Sequence, residues 1–361
     1  MKKIISKIMI LITMFILIGC KSNSLGQSEV NVYDSKKAIA IANEYLIILQ
    51  EGDLEKAKEL CTDEFFSIQK QSNLGNFKIQ SFKVDKTVDS GNKLSIIFDI
   101  IRGNDNGSNS SLDKYNVNVI KEGDNYKVNN LKTEEVAEVY SINNQLRMKK
   151  SSEGQSKLLL KLSDIPKEVY NKESGALEEL KVPNNNFSCA ALGYNQDKVT
   201  YVTTDGTDGT DNFIGILYVK EKDSVATIGA NSNDKSQNQD NINETLEKVQ
   251  TEKMSNCGVL RNCKIDSVVF NSLEDKLLVS YSENGKGIGL KIFDTESGER
   301  SPLNVEDKFP IDKYNIKVMY TSEEEVTIKV TLIDGIGKVS DDKSGIYKIN
   351  LQKATINKKE S

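Results

Sequence analysis

The feature that most constrains the fold is a strand pattern that recurs in the second half of the chain. Four stretches each contain an aromatic-bearing strand, a polar turn and a return strand: "VYNKESGALEEL" (169–180), "ILYVKEKDSVATI" (216–228), "KIFDTESGERSPL" (291–303) and "IYKINLQKATI" (346–356). Their aromatic residues Tyr170, Tyr218, Phe293 and Tyr347 are separated by 48, 75 and 54 residues. The longest separation contains a polar Asn- and Asp-rich insertion near 229–250, of a composition typical of mobile segments. Without it the repeat is about 50 residues long, which predicts an all-β domain over 136–361.

The repeats resemble the blades of a β-propeller, and "IFDTESGE" in particular is similar to a common blade-ending turn. About 225 residues would supply four or five blades, which is few for a closed ring. A partial or irregular propeller and a β-sandwich therefore remain alternatives.

Residues 33–135 show a different order, in which helices precede strands. Apolar residues recur at helical spacing from Ala38 to Leu49, and "DLEKAKELC" and "TDEFFSI" continue as shorter helices. Four alternating stretches follow from Asn76, separated by turn residues. The sequences "AIANEYLIILQEGDLEKAKELCTDEFF" and "EGDNYKVNNLK" make this region similar to the nuclear transport factor two and ketosteroid isomerase family. That resemblance implies a cone of helices on a curved antiparallel sheet, so the fold class predicted for the whole chain is α+β.

The first twenty residues have the three parts of a secretory signal. A basic start at Lys2 and Lys3 precedes an apolar stretch from Ile4 to Ile18, which is short for a membrane span. The tetrapeptide "LIGC" (17–20) then resembles the lipobox of bacterial lipoproteins. The resemblance implies cleavage between Gly19 and Cys20 and acylation of the Cys20 thiol. Residues 1–19 would then be the signal peptide, and the polar residues 20–32 a flexible tether; an uncleaved N-terminal anchor is the alternative.

Charge and composition exclude several classes of function. The chain has a net charge of −5, and the part that follows residue 19 carries 45 basic and 53 acidic residues, a net of −8. Because no basic stripe is present, nucleic acid is not an expected partner. The absence of histidine removes the commonest general base and metal ligand. We therefore predict no cofactor, and regard an enzyme as less favoured than a binding protein.

Two acidic features are candidate sites. Asp99, in "SIIFDII", would have a raised pKa if it faced a pocket, although the alternation also allows a solvent-facing position. Asp205, Asp208 and Asp211 are three residues apart in the Gly-rich loop "TTDGTDGTDNF". Oxygen-rich loops suit calcium, but this spacing matches no standard calcium motif and is equally typical of a hairpin tip.

The cysteines offer one candidate bridge. Cys257 and Cys263 flank "GVLRN" and would form a disulfide if a hairpin brought them together, which an extracytoplasmic location permits. With no histidine nearby, the pair falls short of a zinc site. Cys61 and Cys189 are typical of small buried residues.

These observations predict a lipoprotein anchored through Cys20 to the extracytoplasmic face of the cell membrane. We expect it to act as a non-enzymatic binding or scaffolding module, with another envelope protein or a glycan as partner. An envelope enzyme that hydrolyses glycan or peptide with carboxylates is one alternative. A solute-binding receptor is another, although the alternating strand and helix pattern of such receptors is missing.

Overall fold

The computed structural model describes residues 33–69, 77–104, 107–171, 178–206, 210–220, 249–335 and 342–359. The signal sequence, the lipobox and most of the polar insertion lie outside these ranges. Residues Ser35–Ser361 form one unit, and the remaining residues a second. The architecture below is that of the unit that begins at Ser35.

Three helices open this unit: α1 (Ser35–Glu51), α2 (Leu54–Glu59) and α3 (Asp63–Gln69). Helix α1 buries apolar side chains at three- and four-residue spacing: Ala38, Ala42, Tyr45, Leu46 and Leu49. Gly52 ends α1 with a φ of 79°, a conformation that glycine adopts without a steric penalty. Asp53 then caps α2 by accepting a hydrogen bond from the backbone N–H of Lys56. None of the helices in the described ranges is both long and apolar enough to span a bilayer.

Six antiparallel strands follow and pair in chain order to form sheet I. They are β1 (Lys78–Asp89), β2 (Lys93–Gly103), β3 (Ser110–Glu122), β4 (Asn125–Ile142), β5 (Gln145–Lys150) and β6 (Lys157–Lys161). A small hairpin, β7 (Glu168–Tyr170) and β8 (Glu179–Lys181), connects sheet I to the rest of the chain.

Three further antiparallel meanders complete the unit. Sheet II contains β9 (Asn186–Leu192), β10 (Lys198–Thr204), β11 (Asn212–Val219) and β12 (Thr251–Leu260). Sheet III contains β13 (Lys264–Phe270), β14 (Lys276–Ser282) and β15 (Ile288–Asp294). Sheet IV contains β16 (Tyr314–Thr321), β17 (Glu325–Leu332), β18 (Gly345–Asn350) and β19 (Thr355–Lys358).

Consecutive sheets pack face to face through continuous apolar cores. One core joins sheets I and II, with Leu146 and Val139 on one side and Tyr201 and Phe213 on the other. A second joins sheets II and III, and a third joins sheets III and IV. Each internal sheet thus buries both faces, which explains why strands such as "KLLVSYS" (276–282) are apolar almost throughout.

The circle of sheets closes between β1 of sheet I and β16 of sheet IV. The Phe82 ring stacks on the Tyr320 ring, with centroids 5.3 Å apart and planes 23° from parallel. The side-chain Nε2 of Gln50, at the end of α1, donates to the backbone oxygens of both Gln80 and Val318, each at 3.0 Å. Because residues 80 and 82 thus lie beside 318 and 320, the two strands run side by side in the same direction. The first strand of each sheet lies at the inside of the ring, which makes the arrangement propeller-like.

The propeller-like interpretation is therefore confirmed for the fold. The first predicted repeat (169–180), however, contributes the small β7–β8 hairpin and not one of the four sheets of the ring, and residues 221–228 of the second lie outside the described residues. The predicted α+β fold class was wrong. The described chain is mainly β, and its α-helices are confined to 35–69. No cone is formed: the sheet that follows the helices has six strands, and β4 continues from Asn125 to Ile142 across the boundary expected at residue 135. The physical reason is that inward-facing Ala137 and Val139 extend the same two-residue alternation beyond that point and join the core shared with sheet II.

A double-mutant cycle tests the closure of the ring. We expect Phe82→Leu and Tyr320→Leu to couple by about 0.5–1.5 kcal/mol in the free energy of unfolding, because each substitution removes the same ring contact. Urea denaturation of the four proteins measures the coupling. The control pair is Phe82→Leu with Tyr347→Leu, since Tyr347 packs on Phe309 within another core. Additive effects of Phe82→Leu and Tyr320→Leu would contradict a closed ring.

Candidate functional site

A cavity of about 480 Å³ lies where α1 meets the inner strands of sheets I, III and IV. Its polar lining includes Gln50 and Glu51 of α1, Gln80 of β1, Asp266 and Ser267 of β13, Ser280 of β14, Asn315 and Lys317 of β16, and Lys329 of β17. We call this space the axial cavity, because the first strands of three sheets face one another there. Its volume falls in the range of small-molecule sites in proteins.

A second and much smaller space lies beside the axial cavity, on the side of sheet II. A gap of about 10 Å³ shares Gln80, Asp266 and Ser267 with the cavity and extends to Cys189 and Ala190 of β9. A space of that size holds about one water molecule.

Two lysines of sheet IV hold the carboxyl-terminal end of α1 at the cavity. The Lys317 ammonium donates to the backbone oxygen of Gln50 at 3.1 Å, and the Lys329 ammonium forms an ion pair with the Glu51 carboxylate. Positive charge is favourable at the carboxyl terminus of a helix, where the last carbonyl groups lack partners within the helix. These contacts fix Gln50 in place, so the wall of the cavity formed by α1 is preorganised.

Gln50 is the most constrained polar residue of the cavity. Its side chain is only 5% exposed, and both hydrogens of its amide group are used by the oxygens of Gln80 and Val318. Its Oε1 is buried and has no hydrogen-bond partner among the described residues. A buried acceptor without a donor costs about 1–3 kcal/mol. Asp266 Oδ2, on the same lining, has the same status.

A second polar cluster lies between sheets II and III, beneath the β9–β10 turn. Glu274, in the β13–β14 turn, is fully buried, and its Oε1 accepts a hydrogen bond from the backbone N–H of Asn195 at 2.6 Å. A Cβ atom at Gly193 would lie 2.7 Å from Glu274 Oε2, so only glycine leaves room for this carboxyl. Lys198 approaches the same oxygen to 3.8 Å, at the limit of an ion pair.

Burial raises the pKa of the Glu274 carboxyl to about 7, and the nearby Asp197 carboxylate adds to the rise. The Asn195 N–H and the Lys198 ammonium oppose it without cancelling it. Glu274 Oε2 and Asp197 Oδ1 are both buried acceptors that lack donors. A proton on Glu274 would supply the missing donor between the two carboxyls, which explains why the protonated form is favoured.

Tyr194 connects the β9–β10 turn to sheet I. Its hydroxyl donates to the Ser81 side-chain oxygen at 3.1 Å, and the Lys83 ammonium lies 4.8 Å from its ring centre. Burial raises the pKa of the Tyr194 hydroxyl to about 12, so this group remains a hydrogen-bond donor at neutral pH. The contact ties sheet II to sheet I close to the buried Glu274.

Of the residues singled out by the sequence, those that the structure describes do not line the axial cavity. Asp99 is buried on sheet I, and its Oδ1 accepts a hydrogen bond from the Lys114 ammonium at 2.8 Å. Lys114 is also 2.8 Å from Asp85. The carboxylate of Asp99 is thus part of an ion-pair network on a sheet face, whereas the candidate role was that of a pocket acid.

The Gly-rich loop that was a candidate for calcium binding (Asp205, Asp208 and Asp211) lies only partly within the described residues. Asp208 lies outside them, while Asp211 Oδ1 accepts a hydrogen bond from the Asn262 backbone N–H at 3.1 Å, and the Asp205 backbone oxygen accepts one from Asn185. Within the described ranges, no group of three or more His, Cys, Asp or Glu side chains is arranged to hold a metal ion.

Cys257 and Cys263 are buried and are not joined by a disulfide in this structure. Both lie in the core between sheets II and III, where burial raises the pKa of the Cys263 thiol to about 11. Cys61 and Cys189 are also free, and burial raises the pKa of each thiol to about 12. At neutral pH these three thiols are protonated and poorly reactive. Cys20 lies outside the described residues.

Sequence reasoning did not find the axial cavity, because its lining comes from α1 and from strands up to 280 residues away. One signal was present: Gln50 follows Leu46 by four residues and so continues the buried stripe of α1 with a polar side chain. A polar residue on an apolar helix face needs a buried partner. The identity of that partner could not be read from the sequence.

No protein-family model matches the sequence, and neither does any curated protein. Solved structures give weak similarities, each with a TM-score of 0.30. TolB from Acinetobacter baumannii is 8% identical over 78% of this chain and 57% of its own. A puromycin hydrolase mutant is 7% identical over 76% and 46%, and a protein described as a dipeptidyl aminopeptidase IV from Bacteroides ovatus is 11% identical over 79% and 42%. The chain spans about half the length of these proteins, and similarity of this strength assigns it no activity.

The buried Glu274 gives a prediction about pH and stability. Because its folded pKa of about 7 lies above the ordinary value of 4.5, its contribution to stability is complete below pH 4.5 and is lost as the pH rises through 7. We expect Glu274→Gln, which keeps a neutral side chain at every pH, to remove up to about 3 kcal/mol of this pH dependence. Urea denaturation between pH 4.5 and 8 measures it.

Glu323→Gln is the matched control, because Glu323 is exposed on sheet IV. Its stability should follow the wild-type pH profile. If Glu274→Gln also follows the wild-type profile, the Glu274 carboxyl does not titrate in this range.

Proposed function

We propose that this protein is a non-enzymatic binding protein, held on the extracytoplasmic face of the cell membrane by lipid on Cys20, and that its ligand occupies the axial cavity. The observation that carries the binding role is the cavity itself, with its volume of about 480 Å³ and its polar lining from three sheets and α1. The anchor is supported by the basic start, the apolar stretch and the "LIGC" tetrapeptide of residues 1–20.

The binding role fits the chemistry of the cavity better than catalysis does. The Glu51 carboxylate is engaged by Lys329, and Gln50 is fixed by its two amide hydrogen bonds. Side chains fixed by such contacts are suited to recognising a ligand. They are poorly suited to general acid–base catalysis, in which a group must gain or lose a proton. The paired acids Glu274 and Asp197 meet away from the cavity, with Glu274 fully buried under the β9–β10 turn.

The two parts of the proposal reinforce each other physically. A ring of four sheets gives a rigid frame, because each internal sheet is packed on both faces. A lipid on Cys20 would confine this frame to the membrane surface, where ligands or components of the envelope are met. The partner in that setting would be an envelope protein or a glycan.

Metabolic labelling tests the anchor. A clickable fatty-acid analogue should label the wild-type protein and leave Cys20→Ala unlabelled, because the thiol of Cys20 is the proposed attachment atom. The Cys61→Ala variant is the control and should label like the wild type, since Cys61 is buried in the folded unit. Equal labelling of wild type and Cys20→Ala would refute the anchor.

Native mass spectrometry tests the binding role. The purified chain is incubated with the small-molecule fraction of envelope extracts, and the mass of any retained compound is recorded. Thr331→Trp, which places a large ring at the exposed wall of the axial cavity, should reduce retention at least tenfold. Thr355→Trp, an exposed threonine on β19 of the same sheet, should not. Retention that is absent or insensitive to Thr331→Trp would refute binding in the axial cavity.

A further inference from the structure

The β9–β10 turn joins sheet II to the sheets on either side of it. The backbone N–H of Asn195 donates to Glu274 Oε1, in the β13–β14 turn of sheet III, at 2.6 Å. The Tyr194 hydroxyl donates to the Ser81 side chain of sheet I at 3.1 Å, and Thr321 of sheet IV lies beside the same hydroxyl. One short turn therefore connects several sheets of the ring, and its position depends on the state of the Glu274 carboxyl beneath it.

Two carboxyl groups meet under this turn, those of Glu274 and Asp197, and we call them the acid pair. Glu274 is fully buried, and the Asp197 carboxyl lies within hydrogen-bonding reach of it. Glu274 Oε2 and Asp197 Oδ1 are both buried, and neither receives a hydrogen bond from the described residues. An ionised carboxylate only accepts hydrogen bonds, whereas a protonated carboxyl also donates one. A single proton bound between the two groups therefore satisfies both oxygens, and its loss leaves two negative acceptors facing each other.

The charges around the acid pair balance only when one proton is bound. Within the described ranges, the cation that pairs with Glu274 is the Lys198 ammonium, 3.8 Å from Glu274 Oε2. Two carboxylates and one ammonium have a net charge of −1, and one bound proton makes this cluster neutral. An uncompensated charge is costly where water is largely excluded. The singly protonated state is therefore the one that suits the buried interface.

Other charged side chains near the turn are held by partners of their own. They are Lys276 with Asp294, Asp275 with Asn271, Lys253 with Glu296, Asp99 with Lys114, and Lys83 with the Tyr194 ring. On the side of sheet IV, the turn meets the uncharged hydroxyl of Thr321. The second negative charge of an ionised acid pair is therefore best stabilised by water, which reaches the buried Glu274 only if the turn moves away from it.

Ionisation of Glu274 thus favours a released turn, and linkage gives the direction of the pH dependence. In the closed turn, burial and the neighbouring Asp197 carboxylate raise the pKa of the Glu274 carboxyl to about 7. In a released turn the carboxyl meets water, and its pKa returns toward the ordinary value of 4.5. The contact between turn and carboxyl is therefore at full strength below pH 4.5 and weakens as the pH rises through 7.

We propose that the acid pair is a pH-sensitive switch for the β9–β10 turn. A shared proton holds the turn against sheet III, and loss of this proton to water releases the turn, with Tyr194, from sheets III and I. Water already reaches the turn at the exposed Asn195. Gly193 permits the closed state, because a Cβ atom at this position would lie 2.7 Å from Glu274 Oε2. The switch does not depend on a ligand in the axial cavity.

Amide hydrogen exchange of the purified full chain tests the switch between pH 5 and pH 8. After correction for the intrinsic exchange rate, we expect the protection of the turn amides, that of Asn195 among them, to fall about 70-fold over this range. This is the change imposed by a pKa of about 7 in the closed turn and 4.5 in the released turn. A fall of less than about threefold overturns the proposal.

Low concentrations of urea separate release of the turn from unfolding of the whole chain. Local release exposes little surface, so exchange of the turn amides should not depend on urea. The amides of the buried strand β14 should exchange faster as urea is added, because they are freed only by unfolding. If the turn amides follow the urea dependence of β14 at every pH, the turn opens only on unfolding and the switch is refuted.

Two variants identify the titrating group. Glu274→Gln keeps a neutral side chain whose NH₂ group supplies a donor to Asp197, so the corrected protection of the turn should not change with pH. Asp197→Asn removes the neighbouring charge and supplies a donor to Glu274, so the fall in protection should be at least about threefold smaller than in the wild type. Glu323→Gln, an exposed position between β16 and β17, is the control and should behave like the wild type. Circular dichroism checks that each variant is folded.

The variants decide whether the acid pair carries the pH dependence. Constant protection in Glu274→Gln, together with a reduced fall in Asp197→Asn, supports the switch. A Glu274→Gln variant that loses protection with pH as the wild type does overturns it. If Glu274→Gln does not fold, Asp197→Asn decides: a fall equal to that of the wild type assigns the pH dependence to another group and overturns the proposal.

Discussion

The meeting of β1 with β16 is the contact on which the rest of the structure depends. Three of the four interfaces between sheets join neighbours in the sequence, and each is formed by a broad apolar core. The fourth joins the first and last sheets, whose strands β1 and β16 are more than 200 residues apart, through the Phe82–Tyr320 stack and the two hydrogen bonds of Gln50. Without it, the inner strands would not enclose a central space. The axial cavity is thus a direct consequence of ring closure.

The polar side chains at the ring closure both join structural elements and line the axial cavity. Gln50 donates to the carbonyl groups of β1 and β16, and the same residue forms part of the cavity wall. Lys317 and Lys329 stabilise the end of α1, and this also balances the charge of the lining. A substitution at Gln50 is therefore expected to affect both the closure of the ring and the shape of the cavity wall. Ser280 also lines the cavity, outside this network of contacts.

The interface between sheets II and III depends on the close approach of the Glu274 side chain to the backbone at Gly193. The carboxyl fits only because residue 193 is glycine, and the backbone N–H of Asn195 and the nearby Lys198 ammonium partly offset its burial. The pKa of the Glu274 carboxyl is raised because the ionised carboxylate would be buried at this interface with too few hydrogen-bond donors. The hydrogen bond from Tyr194 to Ser81 connects the β9–β10 turn to sheet I. Sheets I, II and III are thus joined by specific polar contacts in addition to their apolar cores.

The sequence by itself determined the strands, their turns and the propeller-like character of the second half, because two-residue alternation and turn residues are local properties of the chain. It also placed α1 and the sheet strands that follow it, and it predicts an anchor at Cys20, which remains a proposal. It did not determine that β4, β5 and β6 extend the first sheet, nor that this sheet completes the ring, and so the inferred α+β cone was wrong. Asp99 was noticed because it lies among isoleucines. Its partner Lys114 is set by the register of β2 against β3, so the ion pair could not be predicted from the local sequence. The axial cavity was decided by tertiary structure alone, because Gln50, Asp266 and Lys317 are neighbours only once β1 lies beside β16.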